Sequence, residues 1–374
     1  MKVNQPVLLE FDERLNEIGD KKLSDGLSAV VHIGNDLWVA NDESTSIERL
    51  TLLNNDNEDI IKYGRHEQFP IENYITLPAD SKNEEGKIEE IDIEGLDFKD
   101  GYLWLIGSHS LKRKKPDDDK PGEKKFKQLA KVSSDGNRFL LARIPLEEKE
   151  GTHIPKKETH NNGKRLTAAK LKGDAEGNEL TEILAEDVHL KDFFNIPGKD
   201  NGFDIEGLAV GSGNRVFIGL RGPVLRGYAI ILEVQPDTRA DAPFSLKMSA
   251  LNLDGGMYRK HILDLGGLGI RELSIDGDDM LILAGPTMVL DGPVTIYRWK
   301  NYHKEDQENF VLKDALQEIL QIPYGKGEDH AEGMTRFLIG NDKATALLLV
   351  NDAASAASQK GACTLKANIF KIED

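Results

Sequence analysis

A short phrase containing a glutamate and a glycine recurs along this chain, and it restricts the possible folds more than any other feature. Its fullest copy is Ile205-Glu206-Gly207-Leu208. The same phrase occurs earlier at 93–96 and later at 331–334, each time followed by a polar turn and a strongly apolar segment. A phrase that returns with its own turn and partner segment indicates an internal repeat, which sets the architecture before other signals are weighed.

Two weaker copies extend the series to five. Asp25-Gly26-Leu27-Ser28 precedes the apolar segment 36–41, and Arg271-Glu272-Leu273-Ser274 precedes 280–285. The copies are 60 to 69 residues apart, except that 112 residues separate Glu94 from Glu206. This long interval is interpreted as either a sixth, poorly matching unit or an insertion.

Each unit is predicted to contain four short strands separated by Gly, Asn and Asp turns. The predicted strands of the first four units are 27–33, 36–41, 47–53 and 60–69; 92–98, 102–108, 126–133 and 138–144; 204–210, 215–221, 228–235 and one within 245–263; and 270–275, 280–285, 293–300 and 309–313.

The two ends of the chain complement each other. The fifth unit has only three predicted strands, 332–338, 344–350 and 364–371, whereas residues 7–11 form a spare strand at the start. In a β-propeller the first and last segments commonly share a blade, which closes the ring. The sequence therefore predicts one all-β domain over 1–374, a propeller of five or six mostly four-stranded blades closed by the N-terminal strand. Trp38 and Trp104, at matching places in second strands, are predicted to lie in the blade core.

Two inserts interrupt the repeats. Residues 111–125 contain seven basic and four acidic side chains, which favours a solvated loop, with a binding arm as the alternative. Residues 147–201 are rich in Lys, Glu and Gly and include 179–194, where apolar residues recur at helical spacing. Long insertions usually lie across one face of a scaffold, where they can narrow a site.

Composition excludes several classes of function. A formal net charge of −17 disfavours nucleic acid and anionic membranes as partners and favours cations or polar solutes. The single cysteine, Cys363, excludes an intrachain disulfide and a cysteine metal cluster. The sequence contains no phosphate loop, zinc-protease helix or nucleophile elbow. It also lacks a signal-peptide-like segment and an 18-residue apolar run, so we expect a soluble, cytoplasmic protein.

The glutamates of the repeated phrase are the main candidates for a functional site. The first strand of a propeller blade lines the central channel, so Glu94, Glu206, Glu272 and Glu332 are expected at one level, facing the axis. Converging carboxylates are stabilised by a divalent cation, by pairing with Arg or Lys, or by protonation. Oxygen-only ligands favour calcium or magnesium. The alternative is a structural role, in which the glutamates bond to backbone amides of the adjacent blade or pair with arginine.

Polar side chains near these glutamates widen the candidate site. Asn41-Asp42 and Asn351-Asp352 each end a second strand and are either turn formers or oxygen ligands at one rim. Six basic residues are candidates for binding a small polar or anionic ligand at the channel, and the two histidines among them are candidate general bases: Arg221, Arg226, Arg271, Arg336, His109 and His330.

Two stretches carry a family resemblance. Residues 204–209 and 218–227, DIEGLA and IGLRGPVLRG, resemble the hallmark of the bacterial domain-of-unknown-function family 3616, and 93–96, 103–109 and 331–334 fit the same family. The resemblance covers most of the chain and implies a β-propeller without an established function.

A more distant resemblance links the chain to gluconolactonase-like and phytase-like propellers. It implies that an acidic residue in a Glu-Gly phrase binds calcium in the channel. Glu94, Glu206 and Glu332 match that phrase, whereas Glu272 is followed by leucine and the first unit has Asp25 in place of the glutamate.

These observations support three functions of different classes. The first is binding of a polar ligand at the channel, with or without a divalent cation. The second is metal-assisted hydrolysis of an ester, lactone or phosphoester, in which Arg221 or Arg226 would stabilise developing negative charge. The third is a protein-interaction platform that uses 111–125.

Overall fold

The computed structural model describes residues 6–53, 60–79, 89–251, 255–304, 306–339 and 344–372. The predicted turn 340–343 lies outside the described residues. The main strands form five four-stranded antiparallel sheets, here numbered I to V. Within the described ranges, no helix has the length and apolar character needed to cross a membrane.

Sheets I to IV use strands in chain order from the inner to the outer edge, and sheet V does so except that its outer strand is the N-terminal one. Sheet I contains Leu27–Ile33, Asp36–Asn41, Ser46–Leu52 and Ile61–Pro70. Sheet II contains Ile93–Lys99, Tyr102–Gly107, Leu141–Lys149 and Ala169–Leu171. Sheet III contains Asp204–Val210, Val216–Gly222, Ala229–Val234 and Tyr258–Leu263. Sheet IV contains Gly269–Asp276, Asp279–Gly285, Val294–Trp299 and Leu316–Ile322. Sheet V contains His330–Ile339, Ala344–Ala353, Thr364–Lys371 and Val7–Glu10.

The ring closes as the sequence predicts. Each of the five inner strands contacts the inner strand of the next sheet, and the inner strand of sheet V contacts that of sheet I. The N-terminal strand Val7–Glu10 completes sheet V by pairing antiparallel with Thr364–Lys371. It also runs parallel to Ile61–Pro70 of sheet I. The all-β propeller closed by its N-terminal strand is therefore confirmed.

The hydrophobic core is divided among the spaces between and within the sheets. Trp38, Trp104 and Trp299 are almost completely buried and lie in three different apolar clusters. The prediction that Trp38 and Trp104 belong to the blade core is correct. An aromatic side chain of this size buries roughly 150–250 Å², so each anchors the packing of its sheet.

Short elements fill the connections. The two α-helices in the described residues are α1, Gly122–Leu129, and α2, Glu179–Leu184. Single 3-10 turns occur at Leu23–Asp25, Ile71–Asn73, Gly136–Phe139, Lys191–Phe193, Gly198–Asp200, Ser212–Asn214 and Tyr302–Lys304. The minor strands are Glu17–Ile18, Lys21–Lys22, Lys112–Arg113, Val132–Ser133, Thr152–Pro155, Glu158–Asn161, Lys164–Thr167, Gly173–Asp174, Gly177–Asn178, Pro236–Arg239, Ala242–Met248, Asn309–Val311 and Gln359–Gly361.

Two predicted strands are wrong. The first half of 126–133 belongs to α1 and its end to the minor strand Val132–Ser133. The third strand of sheet II is Leu141–Lys149, because the charged insert leaves the sheet and returns further along the chain. The segment 309–313, predicted as the fourth strand of the fourth unit, contains the strand Asn309–Val311, which pairs instead with the outer strand of sheet III. Apolar alternation identifies a strand, but it does not identify the strand's neighbour.

The long interval between Glu94 and Glu206 contains an insertion rather than a further four-stranded sheet in the described residues. It contains the outer strands of sheet II, several hairpins and α2. The helix predicted over 179–194 ends at Leu184, and its start is capped by Asn178, whose side chain accepts hydrogen bonds from the N–H groups of Leu180 and Thr181.

Candidate functional site at the channel mouth

Every inner strand carries a one-residue bulge near its start. In each sheet, the pairing between the inner strand and the second strand leaves out one residue of the inner strand. The five residues left out are Ser28, Glu94, Glu206, Arg271 and Glu332. A bulge changes the direction of a side chain relative to the regular pleat. The five bulged residues are thus equivalent positions around the axis, and in sheet IV the equivalent residue is Arg271, one position before the predicted Glu272.

The glycine that follows three of these bulges allows adjacent sheets to approach. A Cβ atom on Gly95 would lie 2.5 Å from the Cβ of Leu208 in sheet III. A Cβ on Gly207 would lie 2.9 Å from the Cγ of Leu273 in sheet IV. The recurring glycine is therefore required by close packing around the axis, as the sequence predicts.

The second strands contribute an equivalent second set of residues. In each second strand, the residue that pairs next to the bulge is followed by one further residue at the same end of the ring. These five residues are Asp42, Ser108, Arg221, Gly285 and Asp352. A Cβ on Gly26 would lie 3.2 Å from Asp42 Oδ1 and 3.6 Å from Asp352 Oδ1, so the absence of a side chain there leaves room for both carboxylates.

A chain of ion pairs connects sheets III, IV and V. Arg221 pairs with Asp204 and, at 2.5 Å, with Glu206 Oε1. Arg271 Nη1 lies 3.2 Å from Glu206 Oε2 and 2.6 Å from Glu332 Oε1. All five side chains are at most 17% exposed, so the pairs are shielded from water. The two arginines are therefore committed to carboxylates of the protein itself.

The carboxylates on the other side of the channel lack such partners. In the described part of the chain, neither Glu94 nor Asp42 forms a hydrogen bond or an ion pair, and both remain partly exposed. Burial, and then repulsion from Asp92 and Asp352, raises the pKa of Asp42 to about 8. Burial and repulsion from Asp92 and Glu206 raise the pKa of Glu94 well above its ordinary value. This side of the mouth has more acidic groups than cations to balance them.

Asp92 differs because it has a guanidinium partner. Arg138 Nη1 lies 2.8 Å from Asp92 Oδ2, and Arg138 Nη2 donates to Glu90 at 2.7 Å. The cluster of unbalanced acidic groups is therefore centred on Asp42, Glu94 and the neighbouring Asp352.

A cleft adjoins the mouth between sheets IV and V. Arg271 and Glu332 lie along one wall of this open cleft. Leu290 and Tyr324 contribute exposed apolar surface, and His330 lies exposed at the start of the inner strand of sheet V. The cleft thus places some apolar and aromatic surface beside the ionic groups of the channel.

Glu272 bonds to backbone amides, which is the structural alternative that the sequence offers for these glutamates. Its Oε1 accepts hydrogen bonds from the backbone N–H of Leu208, at 3.1 Å, and of Leu273, at 2.8 Å. Leu208 belongs to sheet III, so Glu272 joins two neighbouring sheets. It does not lie at the position occupied by Glu94, Glu206 and Glu332.

The remaining basic residues proposed from the sequence are dispersed. Arg226 is exposed on the turn between the second and third strands of sheet III. Arg336, four residues beyond Glu332, pairs with Asp276 at 3.1 Å and is 42% exposed. His109 is buried, its Nδ1 lies 2.7 Å from Gly107 O, and its Nε2 accepts from the Asn178 amide. Burial lowers the pKa of His109 to about 4, so this ring is neutral and structural at pH 7.

Sequence reasoning omitted two acidic residues of the site. Asp92 and Asp204 each precede a phrase glutamate by two residues, and both are buried beside an arginine. The repeated spacing of Asp and Glu in 92–94 and 204–206 was the signal for them. For Asp42 and Asp352, the recurring Asn-Asp at the strand end predicts either a turn former or an oxygen ligand at the rim, and the structure places both side chains beside Gly26 at the mouth.

The described residues do not present a ready-made metal site. Among them, no three His, Cys, Asp or Glu side chains are placed as a set that could hold a metal ion. Of the four glutamates predicted as ligands, Glu206 and Glu332 face arginines and Glu272 faces backbone amides. In the part of the chain that the structure describes, the Glu94 side chain forms no hydrogen bond and no close ion pair, although Arg221 interacts with it electrostatically.

The closed ring of sheets with an ionic channel defines a β-propeller. The chain belongs to the family described as "Protein of unknown function (DUF3616)", whose model matches residues 26–368. The search of curated proteins gives no match.

Several solved structures are similar at low identity. Glutaminyl cyclase from Myxococcus xanthus is 11% identical with a TM-score of 0.38, over 99% of this chain and 98% of that one. Aldose sugar dehydrogenase from Streptomyces coelicolor, in its PQQ-bound form, is 10% identical with a TM-score of 0.35, over 100% of both chains. An exo-1,5-alpha-L-arabinanase from a bovine ruminal metagenomic library is 9% identical with a TM-score of 0.38, over 94% and 98%. Such values transfer neither an activity nor a site.

Proposed function

We propose that this protein binds a small polar ligand that carries a positively charged group, and that it does so at the channel mouth. The observation that carries the proposal is the unbalanced acidic charge at Asp42 and Glu94, beside Asp352. These side chains are partly exposed, so a ligand can reach them, whereas Arg221 and Arg271 are occupied by Glu206 and other carboxylates.

Protons and the ligand compete for the same carboxylates. In the free protein, the repulsion within the cluster is relieved by protonation, which is what the raised pKa values of Asp42 and Glu94 express. A bound cation relieves the repulsion in their place. Binding therefore releases protons, and affinity rises as the pH approaches 8.

The adjoining cleft favours an organic cation. Glu332, which repels both Asp42 and Glu94, lines this cleft together with Leu290 and Tyr324, so a small molecule whose ammonium group binds the cluster can extend over their apolar and aromatic surface. A calcium or magnesium ion is the other occupant that carboxylate chemistry admits, with its remaining ligands supplied by water. The hydrolase alternative has less support, because Arg221 is paired within the protein and Arg226 is exposed on a turn.

Calorimetric titration with benzylamine, benzyl alcohol and calcium chloride tests the proposal at pH 8. Two opposite charges 4 Å apart at an effective dielectric constant of 20 attract by about 4 kcal/mol. We therefore expect benzylamine to bind at least tenfold more tightly than its neutral analogue benzyl alcohol. Repeating the titration in two buffers of different ionisation enthalpy measures the expected proton release.

Variants identify the site. Glu94→Gln should abolish the preference for benzylamine, whereas Glu186→Gln, which changes an exposed glutamate outside the cluster, should leave it intact. Equal affinity for benzylamine and benzyl alcohol, or unchanged binding in Glu94→Gln, would overturn the proposal. Tight calcium binding that depends on Glu94, without benzylamine binding, would replace the organic cation with a metal ion.

A further inference from the structure

The insert after the second strand of sheet II forms a projecting arm, residues 111–133. Its base is a short ladder between Lys112–Arg113 and Val132–Ser133, and α1 forms its tip. Arg113 Nε donates to Asp200 at 2.7 Å, and Lys112 pairs with Glu90 at 3.1 Å. The arm is thus fixed at its base to the end of the ring that carries the channel mouth.

The helix at the tip of the arm has local polar contacts, Lys127 with Glu123 and Gln128 with Asp117, but it packs no apolar face against the rest of the molecule. None of the residues of α1 is buried. An isolated helix of eight residues is marginal in water, and most helices in proteins are stabilised by packing one apolar face. In α1 that face is presented to solvent: Phe126 is 78% exposed and Leu129, three residues later on the same side, is 46% exposed. Val132, at the base of the arm, is also exposed.

The charge of the arm is opposite to that of the rest of the molecule. Residues 111–133 contain nine Lys or Arg and four Asp or Glu, a net charge of +5, so the remainder of the chain carries −22. An apolar strip flanked by lysines is complementary to an acidic protein surface with apolar contacts. The body of this protein supplies acidic surface in excess, and its net negative charge opposes the approach of nucleic acid.

We infer that the arm docks on a second copy of this chain, with Phe126 and Leu129 at the contact and the surrounding lysines facing acidic side chains of the other copy. A two-fold dimer requires one patch that is complementary to itself. The arm and the acidic channel mouth lie at the same end of the molecule. Together they form one patch that is basic in one part and acidic in another, so it can pair with the same patch of a second copy. Each arm can then contact the acidic surface of the other copy in the same assembly.

Sedimentation equilibrium of the full chain, over a range of protein concentrations at about 20 mM and 500 mM salt, tests this inference. We expect the mass to double with concentration at low salt, and the dimer to dissociate at high salt because exposed charges are then screened. Phe126→Ser/Leu129→Ser and, separately, Lys124→Glu/Lys127→Glu should each weaken dimerisation at least tenfold. Lys164→Glu/Lys360→Glu makes the same charge change at exposed lysines outside the arm and should not.

Folding of the variants is checked independently. Because α1 buries no residue, the arm variants should unfold at the same temperature as the unchanged protein. A mass that stays monomeric at every concentration, or a dimer that survives both arm variants, would overturn the inference. So would a monomer whose arm retards an oligonucleotide, since the partner would then be nucleic acid.

Discussion

Arg271 Nη1 lies 2.6 Å from Glu332 Oε1 and 3.2 Å from Glu206 Oε2, so one guanidinium connects three sheets of the ring. Its Nη2 donates to the carbonyl oxygen of Pro286 at 2.9 Å. Removing one partner of a buried ion pair leaves the other charge uncompensated, which costs about 3–5 kcal/mol. We expect Arg271→Ala to lower the free energy of unfolding by this amount, measured by urea denaturation.

Arg336→Ala is the matched control. Arg336 also pairs with a carboxylate, Asp276, but it is 42% exposed, and exposed pairs contribute about 0–1 kcal/mol. Equal losses in the two variants would show that the channel ion pairs have no special role in holding the sheets together.

The raised pKa of Asp42 predicts how stability depends on pH. The pKa of Asp42 is about 8 in the folded chain and near 3.9 in an unfolded chain. At pH values between these two, the folded state therefore holds a proton on Asp42 that the unfolded state has lost. The contribution to stability is complete below about pH 4, decreases as the pH rises, and is lost above about pH 8. Asp42→Asn removes this dependence. We therefore expect the variant to lose less stability than the unchanged protein between pH 5 and 8.

Thermal unfolding across that pH range measures the difference. Asp314→Asn, which changes an exposed aspartate in a loop, should retain the full dependence. A parallel decrease in Asp42→Asn and the unchanged protein would mean that other groups cause it.

Variants of Glu272 and of Glu94 should affect different properties, the first the stability of the fold and the second the binding of the ligand. Glu272→Ala leaves the buried N–H groups of Leu208 and Leu273 without their acceptor, and an unsatisfied buried group costs about 1–3 kcal/mol. Glu94→Gln removes a carboxylate that repels its neighbours, so it should not reduce stability at pH 8.

Urea denaturation and benzylamine titration on both variants test this separation. Glu272→Ala should lose stability and retain binding, whereas Glu94→Gln should do the reverse. Glu272→Gln, which keeps a carbonyl acceptor, should restore most of the stability. Loss of binding in Glu272→Gln would place Glu272 in the site after all.

The repeated phrase identifies the ring because its three full copies combine a glutamate at the bulge, a glycine that adjacent sheets require, and an apolar second strand. It does not identify the register of every copy. In sheet IV the bulge falls on Arg271, so the neighbouring Glu272 turns towards backbone amides. A shift of one residue reverses the direction of a side chain on a strand, and a sequence alignment of a weak copy cannot resolve it.

The composition of the channel was harder to predict than its existence. Arg221 lies 15 residues after Glu206 in sequence, and only strand pairing brings the two side chains together. Likewise, nothing local shows that Asp42 and Asp352, from opposite ends of the chain, face each other across Gly26. Contacts between sheets depend on ring closure, and their partners are distant in sequence.

Gly95 provides a last test of how closely the sheets meet at the axis. A Cβ at this position would lie 2.5 Å from the Cβ of Leu208 and 3.1 Å from its backbone nitrogen, so two inner strands would have to separate. Overpacking of this kind typically costs about 1–3 kcal/mol, and we expect Gly95→Ala to lower the free energy of unfolding by that amount in urea. Gly122→Ala is the control, because a Cβ there meets no atom within 4 Å. Since Leu208 also donates its N–H to Glu272, the displacement should weaken that hydrogen bond, and the double variant Gly95→Ala/Glu272→Ala should lose less than the sum of the single changes. Strict additivity would show that the strands accommodate the methyl group without moving.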